Sequence, residues 1–389
     1  MSYIQEGTTT YRHAALALFF AGFVTFATLY TTQPLMPVFS EDFAVSPSSA
    51  SLTLSLSTGV LAIGLLIATP LSQRYGRKNV MLASMMATSL LSLLSALSPS
   101  FGLLLLVRGL LGLALAGVPA IAMTYIVEEF QKRGLGKIMG LYIAGTSIGG
   151  MSGRLLTGFL TDLLSWRFAI ALISILAIVL TLLFFYLLPA PSHPKNPSLS
   201  LKQSIGGYLK AFKDKKLVLL ISLGFWLMGS FVTLFNYIGF YLMAPPFSFS
   251  QTVIGLLFIT YLAGTFSSVY MGKKADQYGK RRVLLLSGAI MAAGAWLTAV
   301  PSSLMQLPAL LIFTFGFFAS HSIASSTVST QANGARAEAS SLYLVAYYLG
   351  SSIAGTVGGF FWSSYGWLGV LLFVSGLLLC VVPVLRLAR

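Results

Sequence analysis

Two side chains able to do ionic chemistry lie inside long apolar runs of this sequence: Arg108, in FGLLLLVRGLLGLALAG, and His321, in GFFASHSIASS. A guanidinium keeps its proton at physiological pH, so at an apolar depth it must face water, a partner or a bound solute. An imidazole, with an ordinary pKa near 6.5, takes up and releases a proton near neutrality. Arg154 lies closer to the end of its own run, where snorkelling or a pair with Asp162 would satisfy it. All nine acids, Glu6, Glu41, Asp42, Glu128, Glu129, Asp162, Asp214, Asp276 and Glu338, fall between the runs or at their ends. A coupling proton would therefore use His321 or a boundary carboxylate, for which Asp42, Asp162 and Glu128 are the candidates. Tyr30 and Gln33, three residues apart in TLYTTQPLM, share a face if the helix there is continuous. The segment FNYIGFYLM repeats that pattern with Asn236, Tyr237 and Tyr241. An amide such as Asn236 is costly in apolar surroundings unless it finds a partner.

The elements that carry these residues follow from composition. The 389 residues are 56% hydrophobic and 8% charged, with mean hydropathy +0.86, against about 25% charged in a soluble domain. Apolar runs of about 20 residues are long enough to cross a hydrocarbon core as helices; they are continuous, unlike the alternating strands of a membrane barrel. The expected spans are 14 to 37, 49 to 71, 80 to 97, 101 to 122, 138 to 160 and 168 to 189, then 217 to 242, 252 to 271, 283 to 300, 304 to 329, 339 to 361 and 367 to 387. Arg108 lies about seven residues into its span, roughly 10 Å of helix. The one long polar interval contains Pro189, Pro191, Pro194 and Pro197, then Lys202, Lys210, Lys213, Lys215 and Lys216. It reads as a linker, 191 to 216, between bundles at 1 to 190 and 217 to 389. The N-terminus lacks a small-residue cleavage pattern, so the first span is expected to be retained.

A net charge of +15 could suggest nucleic acid, but 21 of the 24 Lys and Arg lie in short loops or tails, the exceptions being Arg108, Arg154 and Arg167. Those loops all fall on one side if both termini are cytoplasmic, as the positive-inside rule requires. The single cysteine, Cys380, supports neither a disulfide nor a multi-cysteine metal site. No phosphate-cradling loop, metalloprotease helix or nucleophile elbow occurs. The expectation is no cofactor, no metal, no nucleic acid and no enzymatic activity.

The chain also repeats itself. LSQRYGRKNVML, 71 to 82, aligns with KADQYGKRRVLL, 274 to 285, and Leu141, Tyr142, Gly149, Gly158, Phe159 and Trp166 align with Leu342, Tyr343, Gly350, Gly359, Phe360 and Trp367. Two alignments at nearly one offset, on either side of one linker, indicate a 6+6 duplication with the same orientation in both halves.

The loop after the second span resembles the major facilitator signature G-x-L-a-D-r-x-G-r-k through Leu71, Arg74, Gly76, Arg77 and Lys78, with Thr69 and Gln73 in place of its first glycine and aspartate. Its second copy supplies Gly272, Asp276, Gly279, Lys280 and Arg281 but replaces the leucine with Lys274. Leu104, Arg108 and Gly112 resemble the fourth-span motif of the drug:proton antiporter branch. Gly145, Gly149 and Gly153 resemble its antiporter motif, with Gly150 for the proline and Arg154 for the last glycine. The resemblance implies an all-α major facilitator fold of twelve spans in two bundles. It also implies a cytoplasmic gate made by the loop residues, stronger in the second copy because Asp276 is there, and a central cavity lined by the first, fourth, seventh and tenth spans. Tyr30, Gln33, Arg108, Asn236, Tyr237, Tyr241 and His321 are then the candidate substrate residues. The spaced glycines Gly145, Gly149, Gly153, Gly350, Gly355 and Gly359 are the candidates for close helix packing.

The implied activity is alternating-access transport of a small organic solute across a bacterial inner membrane by a monomer embedded in the lipid bilayer. Proton-coupled efflux of a drug-like or amphipathic compound leads. Uptake or exchange of a small anionic metabolite is the alternative, and a non-transporting sensor or a membrane-embedded enzyme the distant one.

Overall fold

The computed structural model describes residues 3–131, 134–191, 206, 208–209, 211–332 and 336–387, without the side chains of Thr69, Arg336 and Ala337. Lys132, Pro194, Pro197, Lys202, Lys210, Arg389 and most of the expected linker lie outside the described residues.

The helices are α1 (Thr9–Tyr30), α2 (Met36–Asp42), α3 (Pro47–Tyr75), α4 (Arg77–Ala96), α5 (Phe101–Leu115), α6 (Ala122–Glu129), α7 (Leu135–Leu163) and α8 (Trp166–Leu187). They continue as α9 (Lys215–Met243), α10 (Gln251–Leu256), a 3₁₀ turn (Leu257–Thr260), α11 (Tyr261–Tyr278), α12 (Lys280–Leu297), α13 (Ser303–Gln331) and α14 (Arg336–Leu387). In chain order these match the twelve expected spans, with α5 and α6 making the fourth, α10 to α11 the eighth, and α14, bent at Gly366, the eleventh and twelfth. Among the described residues eight helical stretches are long and apolar enough by themselves to cross a membrane, one of them the 50-residue run of α14. The others miss for visible reasons: α5 has 15 residues, α7 carries Lys137, Arg154 and Asp162, and α12 opens on Lys-Arg-Arg.

Local chemistry sets the starts. Hydroxyls of Thr8, Ser100, Ser165 and Ser250 accept the N–H of Tyr11, Leu103, Phe168 and Val253, and the Asp214 carboxylate accepts two N–H groups; each cap satisfies an otherwise orphaned donor. Gly76 and Gly279 separate α3 from α4 and α11 from α12 with φ of +94° and +93°, a conformation that glycine adopts without steric cost. The duplicated loops thus share a backbone as well as a sequence.

By their contacts the described residues within 1–32 and 63–200 form one compact unit, and those within 33–62 and 201–389 a second. Each has an apolar core. In the first it runs from Tyr11 and Ala14 through Met81, Met85 and Tyr125 to Phe184. In the second it centres on α9 and α13, where Phe231 stacks on Phe317 with centroids 3.8 Å apart.

Helix packing inside each unit uses the spaced glycines. A Cβ on Gly145, Gly149 or Gly153 of α7 would run into the backbone of Phe19, Phe23 or Ala27 of α1. The four-residue steps match on both helices, so the two backbones lie directly against each other. In the second unit a Cβ on Gly350 would strike the backbone of Phe225, and one on Gly359 the Cα of Ser48. Gly355 faces side chains instead, those of Val232, Asn236 and Ser55.

Candidate functional site

The first span does not run to residue 37. It stops at Tyr30, turns through residues 31 to 35 and resumes as α2. Pro34 has no N–H to continue the ladder and pushes Gln33 away from helical geometry, and Pro37 then sits in the first turn of α2. Tyr30 and Gln33 therefore do not share a helix face; Tyr30 belongs to the first compact unit and Gln33 to the second.

A helix that stops leaves its last carbonyls without helical donors. Arg108 answers two of them, Nη1 donating to Thr28 O at 3.1 Å and Nη2 to Leu29 O at 2.6 Å, with the side chain fully buried. The cation stands at the negative end of the α1 dipole, where it is favoured. Arg154 converges on the same helix end. It is buried, donates through Nη1 to Gly150 O at 2.7 Å, and holds its guanidinium carbon 3.7 Å from the centroid of the Tyr30 ring, well within cation–π range. A Cβ at residue 150 would meet Arg154 Nη1 at 3.3 Å and Tyr30 Cδ2 at 3.6 Å. The two departures from the antiporter motif, Gly150 and Arg154, thus act together: one supplies room and a carbonyl, the other a guanidinium. Sequence reasoning placed Arg154 at an outer helix end and missed this; the signal available was that both departures fall one turn apart on one helix.

In the second unit Gln33, freed by the break, donates through Nε2 to Asn236 Oδ1 at 2.9 Å, both side chains being buried. Asn236 Nδ2 has no hydrogen-bond partner among the described residues, nor has the nearby Ser55 hydroxyl. Tyr237 donates its hydroxyl to Gly355 O at 2.7 Å, and Tyr241 stacks on Trp367 with centroids 4.8 Å apart and planes 5° apart; both rings serve packing between α9 and α14. His321 Nδ1 lies 2.9 Å from the Tyr343 hydroxyl, and its ring lies against Phe317 and Tyr347. Of the boundary carboxylates, Asp42 and Asp162 are exposed, and Glu128 is paired with Arg77.

The side-chain contacts of the two expected gate loops differ, the ion pair lying in the first copy and not at Asp276. Arg77 donates through Nε and Nη2 to the two oxygens of Glu128, at 3.0 and 2.8 Å, and through Nη1 to Ser72. Lys78 donates to Leu188 O, and Arg74 lies over the Tyr75 ring. In the second copy Lys280 reaches only the hydroxyls of Ser326 and Thr330, at 3.3 and 3.2 Å, and Asp276 is exposed with no ion pair among the described residues. The acid that matters stands 51 residues from its arginine, outside the motif. Glu128→Gln should accordingly lower the apparent melting temperature of the purified protein, by a loss of about 1 kcal/mol for a half-buried bidentate pair. Asp276→Asn should leave it unchanged, and equal shifts in a thermal-shift series would put the latch elsewhere.

The family model described as Major Facilitator Superfamily matches residues 18–355 and 228–389. The chain is 46% identical to the inner membrane transport protein YnfM of Escherichia coli (strain K12), over 98% of this chain and 92% of that one. It is 44% identical to the MFS-type transporter YybF of Bacillus subtilis (strain 168), over 97% and 94%. Among solved structures it resembles the nucleoside transporter NupG, with TM-score 0.80 at 15% identity over 96% and 98% of the two chains. It also resembles the xylose transporter XylE from E. coli, with TM-score 0.73 at 15% identity over 96% and 97%.

Proposed function

The chain belongs to the major facilitator superfamily, a multi-pass membrane protein with that family's all-α fold of twelve transmembrane helices in two six-helix bundles, and from that premise we propose that it exports a small amphipathic organic compound by proton-coupled alternating access. The observation that carries the reading is the broken first span. Its end gathers two buried guanidinium groups, Arg108 on the Thr28 and Leu29 carbonyls and Arg154 on the Tyr30 ring. Interrupted helices with ionic groups at membrane depth are where such transporters bind solute and coupling ion. In this reading the two arginines recognise polar acceptors on the solute, and His321 carries the proton. By repeat, the bundles are 1 to 190 and 217 to 389, joined by the linker 191 to 216, with both termini in the cytoplasm and the monomer as the working unit.

A second reading, uptake or exchange of a small anionic metabolite, is favoured by the same two guanidinium groups, which suit a carboxylate or phosphate. The direction of transport separates the two. A thermal-shift screen against drugs, organic acids and sugars selects a tracer, because a ligand that binds the folded protein raises its apparent stability. An exporter accumulates that tracer in inverted vesicles with an acidic interior. Accumulation in right-side-out vesicles alone would replace export with uptake.

A further inference from the structure

The second copy of the gate loop departs from the family pattern at Lys274, and the substrate reading leaves that lysine unused. It lies at the head of a cavity of about 460 Å³ formed by α11, α12 and Phe315 of α13. Lys274 is half-buried, its Nζ 5.8 Å from the Tyr270 centroid and 5.4 Å from that of Tyr278. Arg282, on the facing helix across the Gly279 turn, lines the same cavity and is exposed, with no hydrogen bond or ion pair among the described residues. Below the two cations the lining turns apolar, through Leu286, Ile290 and Phe315. From Arg282 to Ile290 is roughly 12 Å of helix. No acid lines the cavity; Asp276, the acid of this loop, is two residues from Lys274 and therefore on another side of the helix.

We propose that this groove binds an anionic diacyl phospholipid of the surrounding bilayer, its phosphate held by Lys274 and Arg282 and an acyl chain lying along Leu286, Ile290 and Phe315. Charge complementarity selects the occupant: two cations without a counter-charge call for an anion, and the apolar floor continuing from them calls for one with a hydrocarbon tail. Basic pockets between membrane helices recognise such headgroups, and the flanking tyrosines have the amphipathic rings that sit at headgroup level. The fold does not impose the feature. At the equivalent positions of the first copy, Leu71 and Asn79 stand where Lys274 and Arg282 do, and Ile67 where Tyr270 does, although Tyr75 and Val80 match Tyr278 and Val283. At these three positions the first copy carries no cation.

The test compares phosphatidylglycerol with phosphatidylcholine added to the purified full chain in detergent. Lipid retention is read by native mass spectrometry and apparent stability by thermal shift. The wild type should retain phosphatidylglycerol preferentially and melt higher in it. K274Q/R282Q should lose that preference by about tenfold or more, given the usual worth of two interfacial cations. K215Q/K216Q, which removes the same charge elsewhere in the second half, should keep it. Leu286→Trp, which fills the apolar floor and spares both cations, should also weaken retention. Equal retention of the two lipids by the wild type would overturn the proposal, as would an equal loss in K215Q/K216Q, which would reduce the effect to net charge. If the double variant does not fold, K274L, carrying the residue of the first copy, decides by the same readout.

Discussion

Arg108→Lys should insert and fold yet lose most transport, and Arg108→Ala should lose all of it and melt lower. The difference follows from what the guanidinium holds. Its two terminal nitrogens donate separately to the carbonyls of Thr28 and Leu29, in a fully buried setting. A lysine keeps the charge at the helix end but is a point donor without the planar fork, so the two-carbonyl grip is lost. Charge-assisted hydrogen bonds are worth about 1.5–3 kcal/mol each; losing one at the site that orients the end of α1 should slow transport by roughly tenfold or more. Alanine removes both and leaves buried acceptors without their donor, at about 1–3 kcal/mol of stability. Transport rate, substrate affinity and melting temperature, measured on both variants at matched expression, check the prediction. A Lys variant with wild-type rate and affinity would show that charge at the end of α1 suffices and the fork does not matter.

The spans were legible because they depend on composition: a chain this apolar can satisfy its backbone in lipid only by helices or closed barrels, and the continuous runs select helices. The duplication was legible for the same kind of reason, being written in residues such as Gly76 and Gly279 whose backbone demands are local. The break after Tyr30 was not. Proline by itself does not announce a break in a membrane helix: α3 contains Pro70, α13 contains Pro308 and α14 contains Pro383, all without interruption. At residues 31 to 37 two prolines close together follow three polar residues, and it is the combination that stops α1 and restarts it as α2. Everything that depends on partners distant in the chain was hidden as well. Arg154 looked like a snorkelling residue because the Tyr30 ring that receives it belongs to another helix. The motif points to Asp276 as the acid of the gate loops, whereas Arg77 pairs with Glu128 from α6. Candidate residues could thus be named from sequence, but which of them meet could not.

Replacing His321 by glutamine should abolish proton-driven accumulation while leaving substrate exchange across the membrane intact. The residue is the titratable group that α13 presents toward α14, where its Nδ1 lies 2.9 Å from the Tyr343 hydroxyl. In the neutral form the tyrosine donates to Nδ1. On protonation Nδ1 becomes a donor, and the tyrosine hydrogen must turn away; the His321 carbonyl, 3.4 Å from that hydroxyl, is placed to receive it. The hydrogen bond between ring and hydroxyl can thus be kept with either atom as donor. Glutamine keeps the size and hydrogen-bonding capacity of the site but cannot titrate. Accumulation driven by a pH gradient should then fall to the level of an equilibrating carrier, whereas counterflow of labelled against unlabelled solute needs no proton and should persist. Tyr343→Phe should retain coupling with a displaced pH profile, because the histidine stays and its partner is lost. Measuring accumulation, counterflow and pH profile in proteoliposomes on the three proteins separates coupling from structure. Gradient-driven accumulation by the glutamine variant with an unchanged pH profile would move the proton to a boundary carboxylate, Asp42, Asp162 or Glu128. Loss of counterflow together with a lower melting temperature would make His321 a packing residue between α13 and α14.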